Sequence, residues 1–118
     1  MVNRTALILR YKAPAIRWIN EADPVEDSMI FTEQHVNTER TVYLISDDDG
    51  ENEETQQAWI KRNFRNLFES ELEGWYTDPD LWPKPLTLRL FHKWFDTEFN
   101  TVIIDTVDEP LFDDGFWE

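Results

Sequence analysis

The run of residues 47–54, Asp-Asp-Asp-Gly-Glu-Asn-Glu-Glu, places six carboxylates in eight positions. Clustered carboxylate oxygens are the ligands that Ca²⁺ and Mg²⁺ prefer. A calcium-binding loop needs acids at alternate positions, a glycine at the sixth position and a distant glutamate. If Asp47 is first, Asn52 stands sixth; if Gly50 is sixth, Ile45 stands first and cannot bind a cation. We therefore predict a solvated loop and no metal site here, since runs of like charge are usually exposed.

A second route to a metal site uses the ends of the predicted strands. Asp47 follows the second strand, Asp105 lies late in the third, and Lys12 lies beyond the first. In open α/β sheets, ligands gather at the carboxyl ends of the strands. Parallel strands would let the two acids hold Mg²⁺ while Lys12 binds a phosphate, whereas antiparallel strands would separate them. The alternative function is therefore a Mg²⁺-dependent enzyme acting on a small phosphorylated substrate, although no glycine-rich phosphate loop accompanies these residues.

No other residues form a recognisable catalytic group. The chain has no cysteine, its three glycines are scattered, and its serines lie in no nucleophile-elbow motif. His92 is predicted on the polar side of a helix, one turn before Asp96, where a surface pair is its more common role. His35 lies in a segment without a clear pattern. We therefore predict no catalytic residue and no cofactor, and we favour a non-enzymatic protein.

The formal net charge of −14 is unevenly distributed. The first 20 residues hold four bases and no acid, whereas the rest of the chain holds all 25 acids and seven bases. A field of this sign repels nucleic acids and anionic membranes, so neither is expected as a direct partner. We predict instead a protein partner with a basic surface, with mimicry of a nucleic acid as the narrower form. A homodimer is a further option.

The acidic run and the C-terminal tail are the predicted binding surface. The tail, residues 108–118, combines acids with large apolar side chains. It could dock into a basic, apolar groove of a partner, or it could fold back and cover its own sheet. The predicted binding residues are Asp47, Asp48, Asp49, Glu51, Glu53, Glu54, Asp113, Asp114, Phe116 and Trp117.

Hydrophobic patterning predicts the elements that position these residues. Apolar, β-branched runs predict strands at residues 5–9, 41–45 and 101–107. Apolar spacings of three and four predict helices over residues 13–22, 54–73 and 86–95. Asn52 suits the N-cap of the long central helix, and Gly74 is placed to end it. Residues 24–40 are weakly patterned: residues 29–31 suit a strand or a buried loop anchor, and Thr32 could cap a short helix through Val36.

The order β-α-β-α-α-β predicts an α+β or α/β fold, in which a small sheet of three or four strands is covered by about three helices. Whether the first two strands are parallel, joined by a crossover, stays open. The strands lack a clear two-residue alternation, which favours a sheet buried on both faces. A length of 118 residues fits one domain.

Neither a membrane span nor a secretion signal is expected. No stretch approaches the roughly 20 apolar residues that cross a bilayer. The apolar core near the N-terminus, residues 6–9, is too short for a signal peptide. We therefore expect a cytoplasmic protein.

Four phrases of the sequence together resemble a family of small acidic bacterial proteins of unassigned function. They are RYKAPAIRWIN at residues 10–20, ERTVYLI at 39–45, FESELEGWYTDPDLWP at 68–83 and FHKWFDTEFNTVIIDT at 91–106. The resemblance covers most of the chain. It implies a bacterial, cytoplasmic protein, and it supplies no catalytic residues.

Overall fold

The computed structural model describes residues 1–22 and 30–113. Its sheet has three strands in the order β2-β1-β3, where β1 is Arg4–Tyr11, β2 is Val42–Ser46 and β3 is Phe95–Asn100. The central strand β1 pairs antiparallel with both neighbours, so β2 and β3 run in the same direction on either side of it. The predicted mixed fold is confirmed, and the antiparallel pairing makes it α+β.

The described residues form five α-helices. They are α1 (Ala13–Glu21), α2 (Glu33–Val36), α3 (Asp47–Gly50), α4 (Glu53–Trp75) and α5 (Leu88–Trp94). The predicted N-cap of α4 is confirmed: the Asn52 side chain accepts a hydrogen bond from the Thr55 N–H, and the Thr55 hydroxyl oxygen accepts one from the Asn52 N–H. This reciprocal pairing satisfies two N–H groups that have no partner within the helix. Thr32 caps α2 as predicted.

The core lies between one face of the sheet and helix α4. Alternate residues of β1 point to this face, and Leu7 and Leu9 are almost fully buried. The helix presents four buried residues to them: Ile60, Leu67, Phe68 and Leu72. Phe68 is the centre of an aromatic group, with its ring centroid 5.8 Å from that of Phe91 and 5.5 Å from those of Trp94 and Phe95. Edge-on ring packing of this kind adds to the free energy of apolar burial.

The other face of the sheet is partly open, so the prediction of a sheet buried on both faces is wrong. Val42 and Leu44 point outward from β2, and each is 53% exposed. The strand alternates between buried and exposed positions, but both kinds of position carry apolar residues. The alternation therefore cannot be read from hydrophobicity alone.

The third strand lies earlier than predicted. It occupies Phe95–Asn100 rather than residues 101–107, because α5 ends at Trp94 and the chain turns directly into pairing with Tyr11. In this strand Phe95, Thr97 and Phe99 alternate with polar residues, which is the two-residue period of a strand. Its acids make the segment less apolar than the run at residues 101–107. Beyond it, the Ile103 carbonyl accepts a hydrogen bond of 2.7 Å from the Val2 N–H, but residues 101–107 form no regular strand.

Three further expectations need correction. Residues 47–50 were expected in a loop but form α3, because the Ser46 side chain caps the Asp49 N–H. Gly74 does not end α4, which runs to Trp75 and is capped by Tyr76 in an extended conformation. Asp96, expected one helical turn after His92, lies instead in β3.

Phe31, two residues before α2, is held in place by a side chain of α1. The Asn20 amide exchanges two hydrogen bonds with the Phe31 backbone, at 2.8 and 2.9 Å. Phe31 packs its ring against Trp75 with centroids 5.2 Å apart, so it is the loop anchor that was one of the two expectations for residues 29–31. Met29 lies outside the described residues. Within the described part of the chain, no helix is both long and apolar enough to cross a membrane.

The two glycines in helices give a matched test of this packing. A Cβ at Gly50 would lie 2.0 Å from Thr5 Oγ1 and 2.4 Å from Thr5 Cβ, whereas a Cβ at Gly74 would meet nothing within 4 Å. Thr5 is 2% exposed and cannot move aside easily. We expect Gly50→Ala to lower the free energy of unfolding by about 2 kcal/mol or more. Gly74→Ala should raise it by about 0.5 kcal/mol. Urea denaturation of both variants measures the difference, and equal effects would contradict the contact of α3 with β1.

Candidate functional site

Strand topology makes the acidic run and the segment that leads into the acidic tail leave the sheet at the same end. Because β1 is antiparallel to both neighbours, the C-terminal ends of β2 and β3 lie at the same edge of the sheet, where β1 begins. Helix α3 follows β2 directly, and residues 101–113 follow β3. We call α3, the first turn of α4 and residues 101–113 together the acidic end.

The acids of α3 and α4 occupy two successive helix N-termini. Asp47, Asp48 and Asp49 lie in the first turn of α3, and Glu53 and Glu54 lie in the first turn of α4. The positive end of the long helix α4 favours carboxylates in its first turn.

Most of these acids remain solvent-exposed. Asp49 is the member that is engaged: it forms an ion pair with Arg62 at 3.2 Å and accepts a hydrogen bond from the Ser46 hydroxyl at 2.8 Å. Glu51, between the two helices, is exposed. The rest of the group therefore presents unneutralised charge to solvent at the acidic end.

The segment after β3 exposes apolar side chains beside its acids. Asp113, a predicted binding residue, lines cavities next to β2 together with Leu44. Asp114, Phe116 and Trp117 lie outside the described residues. Within residues 101–113, the large apolar side chains that are more than half exposed are Val102, Ile104, Val107, Leu111 and Phe112. Contiguous apolar patches on soluble monomers usually mark interaction sites.

The residues of the expected magnesium site are only partly brought together, because Asp47 and Asp105 both follow strands that finish at the acidic end, whereas Lys12 lies at the other end. Lys12 follows the C-terminal end of β1, where its N–H donates to the Trp94 carbonyl and its ammonium pairs with Asp96 at 3.4 Å. Asp47 follows β2 at the other edge, so about 25 Å of strand separates it from Lys12. Asp105 lies beyond β3, where its carboxylate accepts a hydrogen bond from the Val107 N–H. Among the described residues, no three acids or histidines are placed to hold a metal ion.

A second group of polar residues, not anticipated from the sequence, lies between the sheet and α4. The Glu71 carboxylate accepts a hydrogen bond from the Tyr11 phenol at 2.7 Å on one oxygen. Its other oxygen accepts one from the Tyr43 phenol. The Trp75 indole N–H donates to the Tyr11 oxygen at 3.0 Å, and Ser70 contacts Tyr43 at 3.4 Å. We call Tyr11, Tyr43 and Glu71 the phenol–carboxylate group.

Burial fixes the protonation state of both phenols. Tyr11 and Tyr43 are 6% and 8% exposed. For each of them, desolvation is the largest cause that raises the phenol pKa above its ordinary value, and the Glu71 carboxylate raises it further through its charge and its hydrogen bond. Both phenols are therefore hydrogen-bond donors at neutral pH, and neither can act as a base. The group is a carboxylate held by two donors, rather than a catalytic base system.

The sequence pattern of α4 contains a signal for Glu71 but none for its partners. The apolar stripe of this helix recurs at spacings of three and four, through Phe64, Leu67 and Trp75. Position 71 fits the same stripe, four residues from both Leu67 and Trp75. An acid at a core-facing position is an informative exception, and it could have been noticed. Its two tyrosine partners could not be predicted, because they reach Glu71 only through the strand pairing.

Comparison with known proteins gives no match. No family model fits the chain, and no curated protein or solved structure is significantly similar to it. The resemblance to small acidic bacterial proteins therefore stays an expectation.

The raised pKa values of the two phenols predict how stability depends on pH. An unfolded chain ionises its tyrosines near pH 10, whereas the folded protein keeps Tyr11 and Tyr43 protonated. Their contribution to stability is complete below pH 10 and is lost as the pH rises further. Above pH 10 each phenol should lower the free energy of unfolding by about 1.4 kcal/mol per pH unit.

A single substitution isolates this contribution. Tyr43→Phe should be less stable at pH 7 by about 1–2 kcal/mol, because it removes a hydrogen bond to a charged group. It should also reduce the alkaline slope by about 1.4 kcal/mol per pH unit. Urea denaturation of both proteins between pH 8 and 11 measures how the free energy of unfolding changes with pH. Lysine titration affects both proteins equally and cancels in the comparison. Parallel curves would contradict a raised pKa for Tyr43.

Proposed function

We propose that this chain is a non-catalytic, cytoplasmic module that binds a basic protein through its acidic end. The observation that carries the proposal is that two segments containing acids, distant in sequence, leave the sheet at the same edge, and that the second of them exposes large apolar side chains. Membership of a family of small acidic bacterial proteins belongs to the same proposal.

The exposed acids of the acidic end predict a positively charged partner. The ion pairs among the described residues engage several acids away from this end, including Glu33 with Arg10 and Glu98 with Arg40. At the acidic end, Asp49 is paired with Arg62, while Asp47, Asp48 and Glu51 are exposed. Unneutralised charge of one sign steers an oppositely charged protein and raises its association rate. A second copy of this chain, also carrying −14, would be repelled.

Apolar area supplies the attraction that charge alone does not. Rim charges mainly change association rates, whereas buried side chains near the centre of an interface determine how long a complex lasts. Ile104, Leu111 and Phe112 are 70% exposed or more. In the proposed complex they lie against apolar residues of the partner, and the surrounding acids contact its bases.

The test first captures the partner protein and then measures its affinity for this chain. The tagged chain is cross-linked in lysate of its source cells at low salt, and the captured protein is then purified. Binding is measured between 50 and 500 mM salt, because screening weakens exposed charge pairs. We expect a basic partner whose association rate falls with salt. A partner without excess positive charge, or one whose binding is independent of salt, would contradict the proposal.

Two sets of variants separate the apolar and the charged contributions. The triple variant Ile104→Ser, Leu111→Ser and Phe112→Ser should weaken binding at least tenfold, mainly through faster dissociation. Because these side chains are exposed, its unfolding midpoint should stay close to that of the natural chain. Asp47→Asn with Asp48→Asn should instead slow association and reduce the salt dependence.

The matched control removes the same number of charges elsewhere. Glu73 lies at the far end of α4, about 30 Å along the helix axis from Glu53, and Glu21 lies in the last turn of α1, beyond the C-terminal end of β1. Glu21→Gln with Glu73→Gln should leave the affinity within twofold. A loss equal to that of the Asp47 and Asp48 variant would mean that net charge acts without an oriented surface. Competition by duplex DNA for the same partner tests the narrower form, mimicry of a nucleic acid.

A further inference from the structure

A small cavity opens beside the phenol–carboxylate group, away from the acidic end. Its volume is about 170 Å³, and its lining includes Tyr11, Glu39, Thr41, Glu71 and Trp75. A neighbouring cavity of about 380 Å³ shares Glu39 and Trp75 with it. The two lie at the N-terminal end of β2 and the C-terminal end of α4, opposite the edge of the sheet where α3 begins.

The Glu71 carboxylate is oriented but not saturated. Each of its oxygens accepts one phenol hydrogen bond. A carboxylate oxygen has two lone pairs and can accept a second hydrogen bond. Since Glu71 is partly exposed and lines the cavity, a donor placed in the cavity can reach it. The two phenols restrict the rotation of the carboxylate, so little side-chain entropy remains to be lost on binding.

The charges around the cavity leave it net negative. Arg40 also lines the cavity, but its guanidinium is engaged with Glu98 at 2.8 Å. Arg10, on the neighbouring strand, pairs with Glu33 at 3.5 Å. Glu39 is exposed and makes no ion pair within residues 1–22 and 30–113. Glu39 and Glu71 together therefore make the cavity attractive to a cation.

We propose that this cavity binds the ammonium or guanidinium group of an organic cation. The volume is below the roughly 300 Å³ of a pocket for a drug-sized ligand, which suits a head group on an alkyl stem. Trp75 and Tyr11 also line the cavity, and an aromatic ring attracts a cation that lies over its face. A bare divalent ion fits less well, because it needs six or more oxygen ligands. The proposal is independent of the partner at the acidic end.

The test uses defined cations and their uncharged counterpart. Butylammonium, butylguanidinium and tetramethylammonium are titrated into the full chain, with butylurea as the neutral control. The readout is the ¹H–¹⁵N resonance of the Trp75 indole, which donates to Tyr11. We expect a saturable shift with a Kd on the order of 1 mM for at least one cation, and none for butylurea. The Trp82 indole, which donates to the Tyr76 carbonyl, is the internal reference and should not shift.

Substitutions in α4 decide whether Glu71 is the binding group. Glu71→Gln should weaken cation binding at least tenfold, while Glu73→Gln, an exposed neighbour that does not line the cavity, should leave it unchanged. Glu39→Gln, at an exposed position that folding does not require, should weaken binding two- to fivefold even if Glu71→Gln unfolds the chain. No saturable shift with any cation would overturn the proposal. Equal affinity in the Glu71→Gln or Glu39→Gln protein and the natural chain would do the same.

Discussion

The antiparallel pairing of β1 with both neighbouring strands is the constraint on which the rest of the structure depends. It makes β2 and β3 run in the same direction, so both deliver the chain to the same edge of the sheet. Helix α3 and the segment that begins at residue 101 consequently leave the sheet at the same edge, although about 50 residues separate them in sequence. The same register points Tyr11 and Tyr43 to the core face, where both reach Glu71.

Elements that depend on local sequence could be predicted, and those that depend on pairing could not. Helix α4 has a capping box and a long apolar stripe, and both act within a few residues. The position of β3 depends on which residues pair with Tyr11, and the apolar run at 101–107 is misleading without that register. For the candidate sites, the sequence identified the acids but not their convergence. Glu71 has a partner 60 residues away, which no local pattern encodes.

The acids and the ion pairs lie at different ends of the sheet, and the positions of the helix ends determine where the acids lie. Acids collect where α3 and α4 begin, because exposed N–H groups there favour negative charge. Near the opposite edge, Arg10 and Lys12 form ion pairs with Glu33 and Asp96. Exposed ion pairs of this kind contribute at most about 1 kcal/mol each. They neutralise these four side chains, whereas most acids of α3 and of the first turn of α4 stay exposed.

The phenol–carboxylate group places a charge at a helix position where an apolar residue would cost less free energy. Position 71 lies on the apolar stripe of α4, where leucine would fill space without desolvating a charge. The protein instead orients two buried phenols and an indole N–H to hold one carboxylate. Glu71 is partly exposed, and these hydrogen bonds offset the partial desolvation of its carboxylate. A carboxylate held rigidly beside a cavity, with lone pairs still available, is better explained as a receptor for a cation than as a packing element.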